Sequence, residues 1–148
     1  MQCIYNFAMK FSRKETVKIS IIYSLILIFV NKLKNTEQYK KYSDSFYQSV
    51  VRAAPMHDLG KIAVDDAVLR KPGKLSGNQI PFEARIMALA DVFDALVSKR
   101  CYKDSFSYDK AFQIIEESLG SHFDPELGEI FIQCRPQLEE LYNTYQAE

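Results

Sequence analysis

Ile19 to Val30 reads ISIIYSLILIFV, twelve consecutive residues without a charge. Such a run must leave water, and this constrains the fold more than any other stretch of the chain. Lys10, Arg13, Lys14 and Lys18 precede it, and Asn31-Lys32-Leu33-Lys34 follow it. That order is shared with the n-region and h-region of a signal peptide, but no small-x-small cleavage site comes next. Twelve residues are also fewer than the roughly 20 that a bilayer requires. The expectation is a buried core helix from about Lys14 to Lys34, apolar around most of its circumference, and no membrane span.

The rest of the chain repeats the helical period. Ser43 or Asp44 can cap a second helix carrying Phe46, Val50, Val51 and Ala54, and Pro55 should kink or break it. Val64 to Arg70 suits a short helical turn, and Lys71-Pro72-Gly73-Lys74 a loop. Pro81 can open a third main helix at its first position, where a missing N–H costs nothing. The apolar set of that helix is Ile86, Leu89, Ala90, Phe93, Leu96 and Val97, with Asp91 and Asp94 placed off the stripe. Ser107 caps a further helix carrying Ala111, Phe112, Ile115 and Leu119, which stops at Gly120. Asp124-Pro125 reads as cap plus first residue of the next, ending before Pro136, and the tail from Gln137 adds one more helical stretch. No strand-type alternation is evident, so the fold class is all-α.

Composition narrows the function. Lys and Arg number 19 and so do Asp and Glu, with no basic block, which excludes the footprint of a nucleic-acid polymer. Cys3, Cys101 and Cys134 are widely spaced and form no CxxC pair, so reduced thiols in the cytoplasm are expected. With two histidines among 148 residues, a site built from many imidazoles is out of reach.

One of those histidines sits in Met56-His57-Asp58-Leu59-Gly60-Lys61. An imidazole beside a carboxylate offers two ligands to a divalent transition metal. A metal held there lowers the pKa of a bound water, which can attack a phosphorus centre. Lys61, three residues past Asp58, can face a phosphate from the same side of a helix. Read alone, the pair is weak evidence for a metal and better describes a histidine satisfied by a backbone carbonyl and an aspartate closing a helix.

The stretch Ala53 to Ile62 resembles the signature of the HD superfamily of metal-dependent phosphohydrolases. Leu69-Arg70-Lys71-Pro72-Gly73-Lys74-Leu75 narrows the resemblance to the HD-GYP subfamily, helical phosphodiesterases of cyclic di-GMP in bacterial signalling. Ile80 to Ile86 continuing through Ala90-Asp91-Val92-Phe93-Asp94-Ala95-Leu96 is similar to that family's last metal-site helix. Ser98 to Lys103 and Gly120-Ser121-His122-Phe123-Asp124-Pro125 match further motifs in family order. The resemblance covers roughly Lys14 to Cys134 and implies an HD-domain-like helical bundle. Residues 1–13 are then an N-terminal extension and 14–148 a truncated domain of this type.

The resemblance also assigns roles. His57, Asp58 and Asp91 fall on metal ligands, with Asp58 and Lys61 as the catalytic pair. Lys61, Arg100 and Lys103 fall on contacts to the substrate phosphate, a role that the planar fork of Arg suits. Asp94 reads as a structural hydrogen-bonding carboxylate, and His122 as structural. The departures are as informative. Thr16 stands where the family carries a histidine on its first helix. Between Leu75 and Ile80 the family has further helices, three more histidine ligands and the Gly-Tyr-Pro motif; here the segment is Ser76-Gly77-Asn78-Gln79.

This pattern implies an internal deletion. What remains, one imidazole and two carboxylates, suits a single weakly held Mn²⁺ or Fe²⁺. Loss of the missing helices should also expose apolar surface and favour self-association or a signalling partner. The resemblance therefore implies a cyclic-di-GMP phosphodiesterase of HD-GYP type with impaired or absent turnover. The alternatives are a non-catalytic remnant that binds a nucleotide or a protein, and a smaller single-metal hydrolase of another phosphate ester.

Overall fold

The computed structural model describes residues 13–56, 80–99 and 104–146. Among them every regular element is a helix: α1 Arg13–Lys34, α2 Asp44–Ala53, α3 Phe82–Val97, α4 Tyr108–Glu117, α5 Pro125–Gln133 and α6 Arg135–Gln146. Short 3₁₀ turns occupy Glu37–Tyr39 and Ala54–Met56. The all-α class holds, and the arrangement is consistent with an HD-domain-like bundle.

The uncharged run does set the centre of the molecule. α2, α3, α5, α6 and the Ala54–Met56 turn all pack on α1. Ile22, Leu25, Ile26, Phe29, Val30 and Leu33 of α1 lose nearly all exposure to water. Burying one such side chain contributes about 1.5–3 kcal/mol, so this face alone fixes the packing of the bundle. The helix is not buried all round, however. Val17 and Leu27, on its outer side, remain 36% and 38% exposed. It is also longer than its uncharged run, and Thr16–Lys34 is long and apolar enough to cross a membrane by length and composition. Its inner face is occupied by the core.

Aromatic rings join the other helices to α1. Phe131 of α5 meets Phe29 edge to face, with ring centroids 5.1 Å apart. Phe93 of α3 touches Phe131, Phe112 of α4 and Tyr142 of α6 at 5.5, 4.9 and 5.5 Å. Edge-to-face contacts of this kind add to the area they bury. α3 thereby packs on α1, α4 and α5, and reaches α6 through Tyr142.

Helix ends follow side-chain chemistry. Ser43 Oγ accepts the Phe46 N–H, Ser107 Oγ accepts the Lys110 N–H, and Asp124 accepts those of Glu126 and Leu127. Each cap satisfies donors that the first helical turn leaves without partners. Ala53 is the last α-helical residue of α2, and the backbone tightens to 3₁₀ at Ala54-Pro55-Met56, the break that Pro55 predicts. Gly120 takes a φ of +78° after α4, the left-handed region that glycine enters without strain.

Three local expectations need correction. Pro81 is the N-cap of α3, with φ −51° and ψ 145°, and the helix proper starts at Phe82. The Arg85 N–H bonds the Pro81 carbonyl, so the ring stands just outside the first turn. α5 ends at Gln133, before Pro136 as expected, but the last helix begins at Arg135 rather than Gln137, with Pro136 as its second residue, where its missing N–H is no loss. Asp94, expected off the apolar stripe, is 2% exposed and part of the buried face.

Candidate metal and phosphate site

α3 carries the one expected metal ligand that lies within the described residues. Asp91 is half-buried in the middle of this helix. His57, Asp58, Lys61, Arg100 and Lys103 lie outside the described residues. So do Val64 to Lys74 and the Leu75–Gln79 stretch, where the deletion was expected. Among the described residues, no three of His, Cys, Asp and Glu come together to hold a metal ion. The donor set His57, Asp58 and Asp91 fits a divalent metal by its chemistry, imidazole plus carboxylate.

Thr16 is half-buried on α1, one turn before Ser20, whose hydroxyl donates to the Thr16 carbonyl at 3.0 Å. A hydroxyl at this position gives a metal far less than an imidazole would. His122 is exposed, and its Nδ1 lies 3.0 Å from Ser121 Oγ. It belongs to the turn between α4 and α5, consistent with a structural role.

Both ends of α3 are anchored by charged groups that sequence inspection names without pairing. At the N-terminal end, Arg85 Nη1 donates to Asp124 Oδ2 at 2.6 Å, and the guanidinium lies over the Phe82 ring. Asp124 therefore caps α5 and ties it to α3 at once. Arg85 Nε is buried without a hydrogen-bond partner. Phe82 in turn stacks on Tyr42 with centroids 4.4 Å apart and on Tyr39 at 5.4 Å. The Tyr39 hydroxyl donates to Glu126 Oε2 at 3.4 Å. Burial first, and then the charges of Asp124 and Glu126, push the Tyr39 phenol up to about 12.

At the C-terminal end, Asp94 Oδ1 accepts the Tyr142 hydroxyl at 2.9 Å and the Ser98 hydroxyl at 3.0 Å. Burial, and next the Asp94 carboxylate, raise the Tyr142 phenol well above its ordinary range, so it stays a donor. Ser98 N–H bonds the Asp94 carbonyl and ends the helix, and Phe106 N–H returns to the Leu96 carbonyl at 2.9 Å. An open cleft of about 420 Å³ lies alongside, lined by Ile21, Ser98, Lys99, Ser105, Tyr142 and Tyr145. Tyr142 gives no motif signal in the sequence. Its hint is helical spacing, one turn after Leu138 in the tail.

Comparison with known proteins agrees with the motif blocks. A model of the HD domain matches residues 70–127. A cyclic di-GMP phosphodiesterase of Vibrio cholerae is 32% identical to the chain, over 60% of this chain and 29% of that protein. A cyclic di-GMP phosphodiesterase response regulator of Xanthomonas campestris is also 32% identical, over 70% of this chain and 40% of that protein. A 3'3'-cGAMP-specific phosphodiesterase of Vibrio cholerae is 28% identical, over 62% and 27%. The chain thus spans less than half the length of these relatives. The matches support the HD-GYP family. The alignments also have a common imbalance. The first runs over 143 positions yet takes in 60% of 148 residues, about 89, leaving about 54 positions opposite no residue of this chain. The second runs over 153 positions and takes in 70%, about 104, leaving about 49.

Proposed function

We propose that this chain, a relative of the HD-GYP cyclic di-GMP phosphodiesterases, is a cyclic-dinucleotide phosphodiesterase by descent whose metal centre is reduced and whose turnover is impaired. The observation that carries this reading is the set of motif blocks in family order, His57-Asp58 through Asp91 to Arg100 and Lys103. The phosphodiesterase names of the relatives are its second support. His57, Asp58 and Asp91 would hold one divalent metal, Mn²⁺ or Fe²⁺. Bound there, it supplies a water acidified enough to attack phosphorus near neutral pH. Lys61, Arg100 and Lys103 bind and orient the phosphodiester, and Arg100 can grip two of its oxygens at once.

The surplus of about 50 alignment positions supports an internal deletion in this chain, and the abrupt Leu75 to Ile80 passage is its natural place. With two histidines in total, the chain has no source for the imidazoles that the longer relatives draw from the absent segment. That shortage favours the second reading, a remnant that binds cyclic dinucleotide or a protein without cleaving it.

One experiment separates the two. Purified protein is incubated with cyclic di-GMP and Mn²⁺ or Fe²⁺, and hydrolysis is followed beside equilibrium binding. Slow hydrolysis lost in His57→Ala supports the enzyme. Binding without hydrolysis supports the remnant. Neither binding nor hydrolysis overturns the enzyme and the nucleotide-binding remnant alike.

A further inference from the structure

Asp94 is the one charged residue buried among the described residues, and the proposed chemistry makes no use of it. Successive residues of an α-helix turn by about 100°, so Asp91 lies only about 60° around α3 from Asp94. A rotation or slip of α3 that displaces Asp94 displaces Asp91 with it. Asp94 is also the point at which the helix ends. Its carbonyl takes the Ser98 N–H and its carboxylate the Ser98 hydroxyl. Arg100 and Lys103 follow Ser98 by two and five residues in the sequence.

The second hydroxyl on that carboxylate comes from Tyr142, 48 residues away on α6. The Tyr142 ring meets Phe93 edge to face at 5.5 Å, so its position is fixed by the core as well as by its hydroxyl. A buried carboxylate is expensive to keep unless donors satisfy it. An apolar residue would fill the same place more cheaply. Two hydroxyls from separate elements on one oxygen make a directional lock that apolar packing lacks.

We propose that Asp94, locked by Tyr142 and Ser98, is a positioning residue: it sets the rotation at which α3 presents Asp91 and fixes the C-terminal end of that helix. The inference rests on the reading of Asp91 as a metal ligand.

The test compares four full-length variants. Tyr142→Phe removes one hydroxyl, and Asp94→Leu removes the carboxylate. Asp94→Asn keeps a carbonyl oxygen able to accept both hydroxyls. Ile115→Val trims a buried residue of α4, away from the lock, and serves as the stability control. Mn²⁺ affinity is measured by titration, and amide exchange at Ser98 and Phe106 is measured without metal. Tyr142→Phe and Asp94→Leu should lose Mn²⁺ affinity by about tenfold or more, the scale on which supporting groups act on metal ligands. Their Ser98 and Phe106 amides should exchange faster than those of Ile115→Val. Asp94→Asn should stay close to the parent in both readouts.

Equal Mn²⁺ affinity in Tyr142→Phe and the parent would overturn the proposal, as would a loss no larger than in Ile115→Val. If the parent chain takes up no Mn²⁺, the metal reading of the preceding subsection fails by itself. Amide exchange then decides the lock: unchanged exchange in Tyr142→Phe overturns it, and faster exchange that Asp94→Asn does not show supports it. Should Asp94→Leu fail to fold, Tyr142→Phe carries the comparison.

Discussion

Single side chains in this molecule tie helix ends to neighbouring helices. Asp124 does two jobs, accepting two backbone N–H groups of α5 and pairing with Arg85 of α3. Asp124→Asn should keep the cap and weaken the pair, whereas Asp124→Ala should lose both. The two should differ by about 1 kcal/mol in urea unfolding, the ordinary worth of a cap. The buried phenols make a second prediction. Burial lifts Tyr39 and Tyr47 up to about 12 from 10, and Cys134 up to about 11 from 9. These groups keep their protons longer in the folded chain than in the unfolded one. Their contribution is therefore complete below about pH 9 and is lost as pH rises from there through about 12. Thermal melts should show a midpoint that falls steadily above pH 9, and Tyr47→Phe should reduce the fall. A midpoint that rises over that interval would contradict the assignment.

Helices were the most legible level of the sequence. Ser43, Ser107 and Asp124 are caps on paper and in the structure, because a capping oxygen needs only local backbone to act. Ser107→Ala should cost about 1 kcal/mol in denaturant unfolding, and Ser107→Asp nearly nothing. Gly120→Ala should cost a similar amount, about 1–2 kcal/mol, since its φ of +78° opposes any Cβ. The failures at this level share a cause. Asp94 reads as a hydrogen-bonding carboxylate, which it is, but it was placed off the buried stripe because periodicity counts apolar residues alone. Its burial depends on Tyr142, 48 positions further on, and no local pattern encodes a partner at that distance. The Arg85–Asp124 pair was hidden in the same way, both members visible in separate blocks and their contact visible in neither. Pro136 marks the end of α5 correctly, and only the start of α6 was read two residues late, because a proline fits the first turn of a helix as well as the gap before it.

At the scale of the whole molecule, the uncharged run of α1 and the count of two histidines settle different questions. The run builds the bundle: its buried face receives α2, α3, α5 and α6. The count limits what such a bundle can do, because an HD-GYP-type centre asks for more imidazoles than the chain owns. Of the candidate site, Asp91 and its helix lie within the described residues. His57, Asp58, Lys61, Arg100 and Lys103 rest on sequence alone. A metal centre reduced to one weak site is tested by the Mn²⁺ stoichiometry of the purified full chain, beside His57→Ala and Asp91→Ala. One Mn²⁺ per chain, readily removed by chelator and lost in both variants, is expected. Two tightly held ions per chain, or uptake unaffected by either substitution, would contradict it.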